Sequence, residues 1–399
     1  MGWCVVVACC VACSDSSPPR ATASQSAASV VLPVPTLRAR LAQLVAQSQA
    51  PGAIAAVMVR GGSPTVVASG EDPHTHTALT AEDPFRIASI TKTFVGTLAL
   101  RLVVQQRLSL DDTVSHYLPD WPQGSQITVR MLLNHTSGLA PFGDDTGSPG
   151  PYSEAAQKFS LDHYAKNVAP DEVLAFVHDR PLLFSPGTST SYSNVNTIVL
   201  GQIVATITGH TLGVELHSEL LDPLGLTASR YAPEEPTSPI AGISDLVGNG
   251  SVLDTGPVDW TADNSIQGAA GGMVSTIGDL LRWGDALLRS RTVVADPLAS
   301  DAFHVQSGGT GLGVLGYSTT EFYCVFDPNG CSTGTVFRAI GGSGATSGAR
   351  SVLVYDPQTD SIVAAMVNRD GTPGLEEFVR DVLDMVTRIE NGQQPNASG

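Results

Sequence analysis

The two ends of this chain mirror each other, and that limits what it can fold into. Residues Thr36 to Ser48 place Leu37, Leu41, Leu44 and Val45 at helical spacing. The β-prone runs Ile54 to Val59 and Thr65 to Ala68 follow, joined by Gly61-Gly62-Ser63-Pro64. Near the other end, Ser351 to Tyr355 and Ile362 to Val367 read as strands joined by Asp356-Pro357-Gln358-Thr359-Asp360. A helix from about Pro373 to Glu390 then carries Leu375, Phe378, Val379, Val382, Leu383, Val386 and Ile389 on one stripe, with Thr372 as its expected N-cap. Strands from both ends, with a helix beyond each, predict an α+β fold: one antiparallel sheet flanked by N- and C-terminal helices.

The middle of the chain reads as an inserted, mainly helical domain. Thr91 to Gln106 and Val195 to Thr208 are apolar nearly all round, as buried helices are, and Gly209 ends the second. Asp279 to Leu288 predicts another helix. We expect the folded body over 36–391, with the sheet part at about 36–85 and 300–391 and the helical part at about 86–299. A cleft where the two parts meet is a favoured ligand site. Hydrophobic residues at 42% and charged residues at 15% support a sizeable core. A formal net charge of -17 argues against nucleic-acid partners, because it repels phosphate backbones.

Residues 1–13 read as a signal or lipoprotein-type segment, with a short apolar run from Val5 to Cys13 and no basic flank. Cys13 after Val11-Ala12 resembles a lipidation box. Cys9 is a second candidate, and a cleaved signal without lipid stays open. Residues 14–35 are a Ser/Ala/Pro-rich tether, and residues 392–399 a disordered tail. An extracytoplasmic place, secreted or lipid-anchored, is the expectation. Cys324 and Cys331 flank Asp327-Pro328-Asn329-Gly330, which favours a local disulfide in an exported chain. His74 and His76 form a lone His-x-His and receive no role; no metal or cofactor is implied.

Three stretches carry chemistry. In Phe85-Arg86-Ile87-Ala88-Ser89-Ile90-Thr91-Lys92, the spacing puts Ser89 and Lys92 on one helix face. A hydroxyl needs an adjacent base to act as a nucleophile. Burial disfavours a charged ammonium, which suits a lysine to that task. Lys92 sits in a strongly apolar helix, whereas the other two lysines, Lys158 and Lys166, lie in a polar stretch. Next, Tyr192-Ser193-Asn194 precedes a buried helix: Tyr192 offers a phenol that can shuttle a proton, and Asn194 offers an amide donor and acceptor. Last, Gly341-Gly342-Ser343-Gly344-Ala345 forms a glycine-rich edge. It lets a substrate backbone approach, and a backbone N–H just past it can donate to an oxyanion.

In this order the three stretches resemble the serine β-lactamase and penicillin-binding-protein superfamily, nearest to class C β-lactamase-like enzymes and D-alanyl-D-alanine carboxypeptidases. The run Ile127 to Leu139 and the run Ala270 to Thr276 belong to the same resemblance, which covers about Thr36 to Ile389. It implies that Ser89 forms an acyl-enzyme, that Lys92 and Tyr192 share the proton transfers, and that Asn194, Gly342, Ser343, Gly344 and Ala345 bind substrate. The N–H groups of Ser89 and Ala345 would form the oxyanion hole.

Two departures bear on substrate. The third motif usually begins with a basic or imidazole side chain, and here Gly342 stands in that place. The carboxypeptidases carry an arginine in the preceding strand, and the matching run Gly311 to Tyr317 has none; Arg338 lies on a different segment. A free carboxylate prefers a charge-assisted donor. The leading expectation is thus a monomeric serine hydrolase of ester or peptide-like amide substrates. A peptidoglycan D-alanyl-D-alanine carboxypeptidase is the alternative, and a catalytically inactive envelope binding protein is the reading of another class.

Overall fold

The computed structural model describes residues 32–142, 167–244, 253–256, 260–294, 298, 304, 310–318, 337–371 and 374–393. Cys13, Cys324 and Cys331, with the lipidation and disulfide expectations they carry, lie outside these residues. So do residues 1–31, most of the expected signal and tether.

Helix α1 (Val34–Ser48) leads into β1 (Gly52–Val59) and β2 (Thr65–Gly70). It begins two residues before the expected start: Pro33 precedes it and Pro35 falls in its first turn, where a missing N–H costs nothing. Near the other end, β8 (Leu315–Ser318), β9 (Phe337–Thr346), β10 (Ala349–Asp356) and β11 (Ser361–Val367) are followed by a C-terminal helix, Leu375–Glu390. The expected cap, Thr372, is not the residue before that helix. Gly374 takes that place at φ 105°, a left-handed backbone that glycine adopts without strain. Thr372 and Pro373 lie outside the described residues.

The strands form one antiparallel sheet in the order β2-β1-β11-β10-β9-β8. The two ends of the chain meet at its centre, where β1 pairs with β11 from Ala53↔Val367 to Val59↔Ser361. Both faces are buried. Ala53, Ala55, Val57, Val352, Val363 and Ala365 face a core shared with Leu37 and Leu41 of α1 and Phe378 and Val382 of the C-terminal helix. Ile54, Ala56, Leu353, Ile362, Ala364 and Met366 face a second core that continues into the helical region. Covering on both sides explains why these strands read as unbroken apolar runs instead of alternating ones.

The helical region holds α2 (Thr91–Val104), α3 (Val114–Tyr117), α4 (Val129–Leu133), α5 (Pro170–Val177), α6 (Asn194–Thr208), α7 (Leu212–Leu216), α8 (Trp260–Gly271) and α9 (Ile277–Gly284); the C-terminal helix is α10. Helix α2 ends at Val104, two residues short of expectation, and Gln106 turns left-handed at φ 58°. Helix α9 starts earlier than expected because the Thr276 side chain caps it, accepting from the Asp279 N–H; a wider helical turn continues to Arg289. Trp283 of α9 stacks on Phe94 of α2, with ring centroids 4.0 Å apart. Its indole N–H donates to the Thr93 hydroxyl at 2.9 Å. These contacts fix α2, which carries Lys92, against α9. A small second sheet, β3 (Phe85–Arg86), β7 (Met273–Ser275) and β4 (Arg230–Tyr231), holds the approach to α2, and β5 (Ile243–Ser244) pairs with β6 (Leu253–Asp254) as a separate two-stranded sheet. Among the described residues no single helix is long and apolar enough to cross a membrane.

Candidate active site

Ser89 sits on a short 3-10 turn, Ala88–Ile90, that runs straight into α2. Ala88 before it has φ 45°, a left-handed conformation rare for a residue with a Cβ. Ile87 is tied to the small sheet through its N–H on the Met273 carbonyl, and the turn closes by Ile90 N–H on the Ile87 carbonyl. The backbone is thereby held on both sides of the serine.

Lys92 is 7% exposed, one helical turn on from Ser89. Its Nζ donates to Ser89 Oγ at 3.0 Å, to Asn194 Oδ1 at 2.5 Å and to the Ala270 carbonyl at 2.9 Å. A lysine ammonium has three donors, and three acceptors meet it here. Nζ also lies 4.8 Å from the centre of the Tyr192 ring, on its face. Tyr192 donates its hydroxyl to Ser89 Oγ at 2.8 Å. The serine oxygen thus accepts from both a lysine and a phenol. Tyr192 ends the loop before α6, and Ser193 caps that helix by accepting the Val195 N–H at 3.3 Å. Asn194 is the first residue of α6, so its amide is aimed by the same cap.

The glycine-rich stretch is strand, not loop. Gly341 to Thr346 belong to β9, and Gly342 pairs with Leu353 and Gly344 with Ser351 of β10. On the other side, the pairing of β8 with β9 runs from Phe337 to Gly341. Among the described residues, no strand pairs with that edge of Gly342 to Thr346. A Cβ on Gly344 would stand 2.3 Å from the Ile87 carbonyl oxygen, and one on Gly342 would stand 3.2 Å from Thr93 Cγ2. The glycines therefore let β9 lie close against the Ser89 turn. Ser343 is buried and Ala345 exposed, alternating with the glycines along the strand.

A cavity of about 20 Å³ is lined by Ser89 and Lys92 together with His135, Tyr192, Gly313, Gly342 and others. It has room for about one water molecule. His135, not singled out in the sequence, is wholly buried against Tyr192, with ring centroids 4.6 Å apart. Burial first, and the Lys92 charge second, push its pKa down to about 3, so the ring is neutral. The run Asn134-His135-Thr136-Ser137-Gly138 reads as a turn, and nothing in it announces this contact.

The two arginines closest in sequence to these motifs serve the framework. Arg338 of β9 donates to Asp356, Asp384 and Thr387, on the α10 side of the sheet. Arg86 donates to the Ser347 carbonyl in the β9–β10 turn. The run Gly311 to Tyr317 leads into and forms most of β8, beside β9, and carries no cation there. His74 and His76 pair with Asp254 and Glu71 on the surface, and among the described residues no cluster could hold a metal ion.

Residues 37–384 match the family profile described as Beta-lactamase. The chain belongs to the beta-lactamase family. Among relatives of this beta-lactamase-family chain, "Penicillin-binding protein 4" of Amycolatopsis lactamdurans is 28% identical over 68% of the chain and 66% of that protein. "Esterase EstB" of Burkholderia gladioli is 28% identical over 56% of the chain and 62% of its own length. The chain thus spans under two thirds of these relatives. Among solved structures, a D-stereospecific amidohydrolase from Streptomyces sp. superposes with a TM-score of 0.71 at 26% identity, covering 87% of the chain and 98% of that structure. The D-amino acid amidase from Ochrobactrum anthropi SV3 shares the fold, with a TM-score of 0.72 at 24% identity over 90% of the chain and 98% of that structure.

Proposed function

We propose that the chain cleaves uncharged esters or peptide-like amides through an acyl-enzyme on Ser89, outside the cytoplasm. The observation that carries this reading is the placement of Ser89 Oγ between Lys92 Nζ at 3.0 Å and Tyr192 OH at 2.8 Å. In the reactive form Tyr192 is a phenolate beside the Lys92 ammonium, and Ser89 Oγ attacks the carbonyl carbon while its proton passes to the Tyr192 oxygen. The carbonyl oxygen takes up negative charge and receives the N–H groups of Ser89 and Ala345. When the tetrahedral species collapses, the pair returns a proton to the departing alcohol or amine. Water then attacks the ester on Ser89, gives up a proton by the same route and releases the acid. Asn194 and the β9 edge at Gly342, Ser343 and Gly344 hold the substrate.

The preference for uncharged substrates rests on Gly342 and on Arg338. Gly342 brings no cation to the cleft, and Arg338 is committed to Asp356 and Asp384. The relatives named as an esterase and as a D-stereospecific amidohydrolase agree with that chemistry. The relative named as a penicillin-binding protein favours the second reading, a D-alanyl-D-alanine carboxypeptidase. The apolar N-terminal run with Cys13 or Cys9 supports an exported, lipid-anchored or secreted chain.

The test uses the purified chain and Ser89→Ala with a fluorescent phosphonate, a p-nitrophenyl ester and a D-alanyl-D-alanine peptide. Wild type is expected to take the label and turn over the ester, and Ser89→Ala to do neither. Lys92→Ala should cost about 10²–10⁴-fold in ester turnover. Absence of label and of turnover in wild type would overturn the reading. Faster turnover of the peptide than of the ester would favour the carboxypeptidase.

A further inference from the structure

His135 takes no part in the proton route above, yet it grips the phenol from behind. Its backbone is left-handed, at φ 59°. That costs a non-glycine residue about 1 kcal/mol, so the surroundings must hold it there. Three contacts from this one residue converge on three consecutive residues. The His135 carbonyl accepts the Ser191 N–H at 3.0 Å. The ring nitrogen Nδ1 accepts the Ser193 N–H at 3.3 Å. Between them, the imidazole stacks on the Tyr192 ring at an interplanar angle of 30°.

A backbone N–H can only donate, so Nδ1 is an acceptor and the ring proton of the neutral imidazole sits on Nε2. A buried amide fixes that choice. Asn196 Nδ2 meets the same Nδ1 at 3.0 Å, and Asn196 Oδ1 accepts the Ser137 hydroxyl at 2.5 Å. Asn196 and Ser137 are fully buried, and both act on His135 or its neighbours, not on Ser89.

We propose that His135 is the positioning residue for Tyr192: a neutral imidazole that clamps the chain on both sides of the tyrosine and sets its ring so that the hydroxyl meets Ser89. The inference rests on the reading that Tyr192 moves the Ser89 proton. Ser191 and Tyr192 lie outside helix and strand, tied to α6 only through the Ser193 cap, and a displacement of about 1 Å in a reacting group costs up to about 100-fold in rate. The clamp supplies the missing rigidity. The neutral state of the ring matters too, since an imidazolium would place a second positive charge near Lys92.

The test is His135→Asn in the full chain. Asparagine tolerates the left-handed backbone and keeps an acceptor near the Nδ1 position, while the stacked ring is removed. Protein labelled with [ζ-¹³C]tyrosine is compared with wild type, and Tyr192→Phe assigns the Tyr192 resonance. We expect a cooperatively melting variant in which the Tyr192 resonance moves and those of the other tyrosines do not. We expect kcat for the ester to fall about 10- to 100-fold with KM little changed. In the Tyr192→Phe background the same substitution should cost no further activity. An unmoved Tyr192 resonance, or an equal loss of activity in both backgrounds, would overturn the proposal. If wild type does not turn over the ester, the hydrolase reading fails, while the resonance still decides the clamp. On wild type alone, the ¹⁵N spectrum of His135 should show Nδ1 without hydrogen from pH 5 to 8; a hydrogen on Nδ1 would overturn the clamp even if His135→Asn does not fold.

Discussion

Lys92 and His135 are both buried beside Tyr192, but they hold their protons differently. Lys92 meets three acceptors, whereas His135 Nδ1 meets two donors, so its ring is neutral. The folded pKa of His135, about 3, lies below the ordinary 6.5. The unfolded chain therefore binds a proton there first as pH falls. This contribution to stability is intact above pH 6.5 and is lost progressively from 6.5 towards 3. At pH 5 the loss is about 2 kcal/mol. Urea unfolding of wild type and His135→Asn at pH 7.5 and 5.0 should show the extra loss in wild type only; equal losses would contradict it. At this scale the sequence is half legible. Spacing puts Ser89 and Lys92 on one helix face, but their roles and that of Tyr192 follow from the resemblance of the three motifs taken in order. His135 does not, because its nitrogen meets a partner 58 residues on, at Ser193.

At the scale of elements, Arg338 separates two roles that a sequence leaves mixed. It lies on β9, the strand that also carries Gly342, but its guanidinium reaches Asp356, which is fully buried, and α10. Its job is to neutralise a buried carboxylate. Arg338→Met should cost about 3 kcal/mol and lower Tm by several degrees. KM for an ester or a D-alanyl-D-alanine peptide should not move. A raised KM for the peptide alone would place Arg338 in substrate binding instead. Strands β1, β10 and β11 are readable as elements because covering on both faces leaves them apolar over most of their length. Strands β3, β4 and β7 span two or three residues and carry no period to read. The strand state of Gly341 to Gly344 was legible only as an edge. Glycine has low strand propensity, and what holds it in β9 is pairing with β10 and contact with the Ser89 turn.

Across the whole molecule, the sheet cannot be finished until the last strands exist. Gly52 N–H binds the Asn368 side chain at 2.6 Å across 316 residues, and β1 pairs with β2 on one side and the late strand β11 on the other. Such distant contacts make folding slow. Refolding from urea, followed by tryptophan fluorescence, should take seconds or longer; completion within milliseconds would contradict this topology. The mirrored ends announced that closure, since neither half could cover its own strands. What they did not announce is the bend at Ala88. A non-glycine residue held left-handed next to the nucleophile is spring and anchor at once. In engineering terms it sets a trade-off. Ala88→Gly should relieve about 1 kcal/mol of strain and raise Tm, while loosening the turn that aims Ser89 and lowering kcat. Selection for heat resistance alone would therefore drift towards glycine here, and selection for turnover would hold the methyl group in place.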